Sequence, residues 1–189
     1  MNESGPSTWN RATLCEYLGA LVRDIHDFPK PGVLFKDITP LLGNARALGM
    51  AERGLAEPFF GEKVDTVVGI ESRGFIFGPM VAIRLNAGFV PARKPGKLPA
   101  EVDSVSYSLE YGTNTLQIHR DAIRPGSRVL IVDDLLATGG TAAAAAELVR
   151  KQGGEMVGFS FLVELAFLGG RRALGDSTVR SLLVYAAEG

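Results

Sequence analysis

Residues Arg128 to Thr141 read RVLIVDDLLATGGT, and this stretch decides the fold. Val129, Leu130, Ile131 and Val132 form a short continuous apolar run, the pattern of a strand covered on both faces. Asp133 and Asp134 follow at its C-terminal end, where they are expected to reach solvent. Thr138, Gly139, Gly140 and Thr141 then lead into Ala142 to Ala146 and Glu147, a run of strong helix formers. Strand, acidic pair, small-residue turn and helix start is the order in which an open α/β sheet builds a ligand site. A helix start leaves backbone N–H groups without partners and carries the positive end of the dipole. Glycines let the backbone approach an anion, and the two threonine hydroxyls add donors, which makes the turn a phosphate cradle. Adjacent carboxylates would repel a bare phosphate. They suit the hydroxyls of a sugar, or a cation that accompanies the phosphates. On spacing alone, a capped tight turn with solvated aspartates fits as well. Neither the GxxxxGK[ST] nor the GxGxxG pattern is present.

The same stretch resembles the signature of type I phosphoribosyltransferases: an apolar strand, two acidic residues, two variable residues, a small residue, Thr-Gly, one variable residue and Thr. The resemblance implies that Asp133 and Asp134 meet the ribose hydroxyls of phosphoribosyl pyrophosphate. It also implies that Ala137, Thr138, Gly139, Gly140 and Thr141 wrap its 5′-phosphate.

Composition sets the outer bounds. A chain of 189 residues with 46% apolar content is expected to form one self-supporting domain over residues 8–189. Lys and Arg total 20 against 21 for Asp and Glu, a net charge of -1, so there is no bulk attraction to nucleic acid or anionic membrane. A phosphorylated substrate then needs a local basic patch. The lone Cys15 excludes an internal disulfide and fits a reducing compartment. His26 and His119 are the only histidines, so a histidine metal cluster is not expected. No signal-peptide pattern and no apolar run of about 20 residues is present, so a cytoplasmic location is expected.

Taken in order, residues 1–7 read as a mobile tail. Leu14, Tyr17, Leu18, Leu21, Val22 and Ile25 recur at helical spacing and predict a first helix over residues 8–26, with His26 at its end. Residues 28–40, FPKPGVLFKDITP, hold three prolines and Gly32, which rule out a regular helix. They fit a loop packed on the domain or a lip whose backbone reads a planar base. The segment resembles the hood of adenine phosphoribosyltransferases (residues 8–40 here), which implies adenine contacts from Leu34 and from the main chain around Lys36. A helix is expected over 45–58 and a strand over 66–70. Glu71, Ser72, Arg73 and Gly74 follow, then an apolar helix from Phe75 to Leu85. Arg73 beside a helix start fits an anion site or a surface turn cap. ESRG resembles the family's pyrophosphate loop, which implies pyrophosphate contacts from Ser72 and Arg73.

A strand over 88–92 leads into Arg93, Lys94 and Lys97, spaced by Pro95 and Gly96. Such a run is either a solvated face or a basic lid. The family's flexible loop lies here, implying a mobile loop over residues 93–110, with Arg93, Lys94 and Lys97 on the leaving pyrophosphate and water shut out on closure. Val105, Tyr107, Leu109 and Tyr111 alternate with polar residues, the period of a strand. Glu110 on the polar face reads by itself as a solvated glutamate. SLEYG matches the family segment whose glutamate is the acid/base group facing the purine, so Glu110 is the implied catalytic residue.

Strands at 66–70, 88–92, 128–132, 156–163 and 180–185, alternating with helices, predict an α/β fold with a mostly parallel sheet. The resemblance covers about residues 14–185. It implies a Rossmann-like sheet with a small N-terminal hood, a homodimer, and Mg²⁺ carried mainly by the substrate. The implied reaction is adenine plus 5-phosphoribosyl 1-pyrophosphate giving AMP and pyrophosphate, in purine salvage. A transferase for 6-oxopurines or xanthine is the near alternative. The related 6-oxopurine signature usually carries an aspartate where Ala137 stands, which favours adenine. A regulator that senses the same sugar phosphate would need a DNA-binding domain or a basic face, and neither is expected from the sequence.

Overall fold

The structure, a computed structural model, describes residues 10–108 and 113–187. The expected tail, residues 1–7, lies outside them, as does Glu110. The chain divides into two compact units, one reaching to Ala51 and the other beginning at Glu52.

In the smaller unit, helix α1 (Arg11–Gly19) starts where the Asn10 side chain accepts from the Ala12 N–H, an N-cap. It is shorter than the periodicity predicts. The chain turns after Gly19 and enters strand β1 (Arg23–Ile25), which pairs antiparallel with β2 (Phe35–Asp37). Charged cross-strand pairs explain the switch. Arg23 Nη2 lies 2.6 Å from Asp37 Oδ2, and Lys36 Nζ lies 2.6 Å from Asp24 Oδ1. His26 therefore follows a strand rather than ending a helix. Asp37 also accepts from the Thr39 N–H and hydroxyl at the start of the short helix α2 (Thr39–Leu42). The Thr39 N–H, then Arg23 and the Thr39 hydroxyl, hold the Asp37 carboxyl down at about 2. Helix α3 (Ala45–Ala56) contains the division between the units.

The larger unit is built on strands β3 (Thr66–Ile70) and β4 (Gly88–Ala92), with helix α4 (Gly74–Leu85) between them. An antiparallel hairpin follows, β5 (Val102–Ser108) and β6 (Thr113–His119). Strand β7 (Arg128–Leu136), helix α5 (Gly140–Lys151), and strands β8 (Glu155–Leu165) and β9 (Val179–Tyr185) complete it. The five-stranded sheet has the order β4-β3-β7-β8-β9, and every neighbouring pair is parallel. β7 is central, and Val129 to Val132 are fully buried, as a run apolar on both faces requires. Burial of each such side chain stabilises the fold by about 1.5–3 kcal/mol. β4 is an edge strand, which is why Pro91 is tolerated inside it.

One boundary matters for the site. β7 runs to Leu136, beyond the apolar run, because β8 is long enough to pair with it there: Leu135 faces Val163 and Leu136 faces Glu164. The acidic pair thus lies inside the central strand. Asp134 is 5% exposed, not solvent-reaching as its sequence position suggested.

Candidate active site

β3 and β7 are adjacent parallel strands, and each is followed by a helix, so α4 and α5 both begin at the same sheet edge. No side chain caps either helix start. Between them lies an open cleft of about 290 Å³. Its walls are Glu71, Ser72 and Arg73 on one side and the acidic pair with Ala137 to Thr141 on the other. Lys94, Tyr107 and Asn114 also line it, with Ile70, Leu135, Leu136 and Ala142.

Two glycines make this geometry possible. Gly139 caps α5 at φ +84°, in the left-handed region, and a Cβ there would collide with the Gly170 carbonyl. The turn therefore lies close against the segment after β8, and its residues line the cleft. Gly74 has ordinary φ but no spare room. A Cβ there would lie 2.8 Å from Asp133 Oδ1 and 2.9 Å from the Val132 carbonyl.

That contact holds the Asp133 carboxylate against the start of α4. Asp133 Oδ1 also accepts from the Asp134 N–H at 2.9 Å. Arg73 Nε lies 3.0 Å from Asp134 Oδ2. Burial, then the charge of Asp134, push the Asp133 carboxyl well above the ordinary range, against the Asp134 N–H and Arg73. Burial also raises Asp134, outweighing Arg73 and the bond with Asp133. The free pair thus holds protons more readily than isolated aspartates do. A ligand that brings hydroxyl donors or a cation stabilises the ionised pair.

Across the cleft, Glu71 behaves in the opposite sense. Burial raises its carboxyl, but hydrogen bonds from Arg93 and from the Lys94 N–H outweigh burial and hold it below the usual range. Arg93 Nε lies 3.0 Å from Glu71 Oε2, and Arg93 Nη1 donates to the Lys97 carbonyl at 3.0 Å. The Arg93 backbone bridges to Gln117 of β6.

The cleft therefore gathers Ser72, Arg73, Lys94, Asp133, Asp134 and residues 137–141 among those the sequence singled out. Arg93 and Lys97 are not among its lining residues; Arg93 is bonded to Glu71 instead. Leu34 and Lys36 belong to the smaller unit, where Lys36 is held by Asp24. Glu110 lies outside the described residues. Glu71, Tyr107 and Asn114 were missed. An acid beside Ser-Arg-Gly, upstream of a basic run, was a legible sign for Glu71. Nothing in the alternation of β5 distinguishes Tyr107 from an ordinary core aromatic.

Comparison with known proteins bears on the family and the fold. Residues 42–174 match the family model described as phosphoribosyl transferase domain. The chain is 63% identical to the adenine phosphoribosyltransferase of Sorangium cellulosum, over 92% of this chain and 88% of that protein. Its structure is similar to that of the adenine phosphoribosyltransferase of Rhodothermus marinus. There the TM-score is 0.88 and the identity 53%, over 92% of this chain and 99% of that one. It is also similar to the Saccharomyces cerevisiae enzyme, which was crystallised with adenine and an imino-altritol bisphosphate. There the TM-score is 0.86 and the identity 42%, over 91% of this chain and 99% of that one.

Proposed function

The chain belongs to the phosphoribosyl transferase family, and on that premise we infer that it is an adenine phosphoribosyltransferase of purine salvage. It joins adenine to 5-phosphoribosyl 1-pyrophosphate and releases AMP and pyrophosphate. The observation that carries the site reading is one cleft holding two uncapped helix starts and, between them, an acidic pair of which Asp134 is buried and Asp133 partly buried.

The residues divide the work as follows. The turn Ala137–Thr141 binds the 5′-phosphate through backbone N–H groups and hydroxyls at the positive end of α5. Asp133 and Asp134 accept from the ribose hydroxyls. Ser72, Arg73 and Lys94 take the pyrophosphate, whose negative charge grows as the C1–oxygen bond breaks. Arg93 and Lys97 join them if the basic loop moves. Adenine N9 forms the new bond to C1, and its proton leaves toward a base, the role assigned to Glu110. Leu34 and the main chain around Lys36, in the hood, hold the adenine ring. Ala137 offers no side-chain polar atom at the position where a 6-oxopurine enzyme would place a carboxylate.

Mg²⁺ fits this site as a passenger on substrate oxygens. Asp133 and Asp134 are hard oxygen donors in the cleft, and the ion prefers such groups together with phosphates and water. When bound, it supplies charge neutralisation of the pyrophosphate; chelation should abolish turnover. A homodimer is supported by the outer side of α4, where Ile83 is 80% exposed and Ile76, Pro79 and Met80 are only half-buried. Light scattering at the mass of one chain would exclude it. No helix among the described residues is long and apolar enough to cross a membrane. A cytoplasmic location is the matching proposal, and cell fractionation tests it.

The deciding assay offers equal adenine and hypoxanthine with the sugar substrate. A hydrogen-bonding pocket built for a 6-amino group should favour adenine by at least roughly 10³ in kcat/KM. Comparable yields of AMP and IMP would end the adenine assignment.

A further inference from the structure

The hairpin β5–β6 is tied to helix α5 at two places, and the two ties differ in kind. In one, the Gln152 side chain accepts from the Ile123 N–H at 3.0 Å. It also donates to Asp103 Oδ2 at 2.9 Å and to the His119 carbonyl at 2.8 Å. Lys151 adds an ion pair to Asp103 at 2.8 Å. None of these residues lines the cleft. In the other tie, the Thr141 hydroxyl donates to the Tyr107 hydroxyl at 3.0 Å. Thr141 closes the phosphate turn, and Tyr107 lines the cleft beside Asn114, its partner across the hairpin. Tyr107 packs against the hydrophobic core.

A threonine hydroxyl has one proton to donate and two lone pairs. Here that proton goes to Tyr107. A phosphate in the turn presents only acceptors, so Thr141 can bond it only by redirecting the proton. The Tyr107 contact then survives in reverse, with the tyrosine donating to Thr141 Oγ1. The chain from Tyr107 through Thr141 to the phosphate now runs in one sense and ends on an anion. Each bond strengthens the other.

We propose that Tyr107 is a positioning residue through which an occupied phosphate turn fixes the described strands of the β5–β6 hairpin, residues 102–108 and 113–119. The proposal rests on the phosphoribosyl-transfer reading, because it takes Ala137–Thr141 as the 5′-phosphate site. The Gln152 tie shares no atom with that site and supplies a constant, ligand-independent hold. The Tyr107 tie supplies the variable one.

Amide hydrogen exchange of residues 102–108 and 113–119, with and without saturating ribose 5-phosphate, tests this. In the parent, the ligand should slow exchange in both strands. Tyr107→Phe keeps the ring and removes the hydroxyl. It should bind ribose 5-phosphate about tenfold more weakly and, once saturated, show no such slowing. Thr141→Val should lose the slowing as well, and Thr141→Ser should keep it. Gln152→Leu should speed exchange in both states and preserve the ligand-dependent difference, and Tyr107→Phe would behave the same way if the role of Tyr107 were merely structural. Equal slowing in saturated Tyr107→Phe and parent overturns the proposal while leaving the enzyme assignment intact. A parent that turns over adenine but shows no slowing overturns it likewise. A parent that does not bind ribose 5-phosphate overturns it together with the phosphate-site assignment.

Discussion

Gly74→Ala isolates the packing on which the cleft depends. The glycine has no left-handed φ, so the added methyl brings no backbone strain and acts by contact alone. Its carbon would stand 2.8 Å from Asp133 Oδ1, 2.9 Å from the Val132 carbonyl and 3.4 Å from Asp133 Cα. The carboxylate can rotate, but the Val132 carbonyl cannot. It belongs to the central strand, which is paired on both sides. The start of α4 must therefore retreat by roughly 0.5 Å to restore ordinary contact, and overpacking of this kind costs about 1–3 kcal/mol. At about 2–4 °C per kcal/mol for a chain of this length, the melting temperature should fall by roughly 4–8 °C for a mid-range cost. The retreat also carries Arg73 away from Asp134, from a starting separation of 3.0 Å. A displacement of about 1 Å can cost 10² in rate, so a loss of roughly tenfold in kcat/KM for the sugar substrate is expected. Gly49→Ala is the matched control. It lies in α3 with nothing within 4 Å of the new carbon, so the same substitution should stabilise by about 0.4–1 kcal/mol. Thermal melts and initial rates read both variants. Gly74→Ala with the parent's melting temperature and kcat/KM would refute the close-approach reasoning.

Asp133→Asn should raise thermal stability at neutral pH while abolishing most activity. The folded carboxyl titrates above its unfolded value, so its stabilising contribution exists at low pH and is lost as pH rises. The gain in melting temperature over the parent should grow as pH rises above about 4, where the unfolded carboxyl ionises, and a pH-independent difference would contradict the assignment. Glu110→Gln should slow single-turnover AMP formation by about 10² to 10⁴ with sugar-phosphate affinity retained. An unchanged chemical step would remove Glu110 from the mechanism. Arg84 holds the buried Glu52 carboxylate through two bonds of 2.7 Å. Arg84→Met leaves that carboxylate unpaired, but Arg84 is itself 48% exposed and water can partly replace it. The cost should be about 2 kcal/mol by denaturant melts, below the 3–5 kcal/mol of a fully buried pair. Loss under 0.5 kcal/mol would show the pair to be incidental.

Much of the larger unit was legible because its strands are short, apolar and bounded by turn residues. The strand expected at 66–70 and that at 88–92 are found with those bounds, and the helix formers Ala142 to Glu147 lie inside α5. The first helix was over-read. Val22 and Ile25 fit a helical face and a strand equally well, and only the pairing of Arg23 with Asp37 and Lys36 with Asp24 decides between them.

The sequence by itself determined what is local and chemical: apolar runs that must be buried, glycines where a turn needs them, and the acidic pair set before Thr-Gly-Gly-Thr. Those features follow from residue type and spacing along the chain. Tertiary structure decided what depends on neighbours distant in sequence. It extended β7 to enclose Asp134, because β8 was there to pair with it. It set Gly74 against Asp133, turned Arg93 onto Glu71, and placed Tyr107 within reach of Thr141. Burial and partner charge govern whether a carboxyl is protonated and where a cation points, and neither has a signature along the chain.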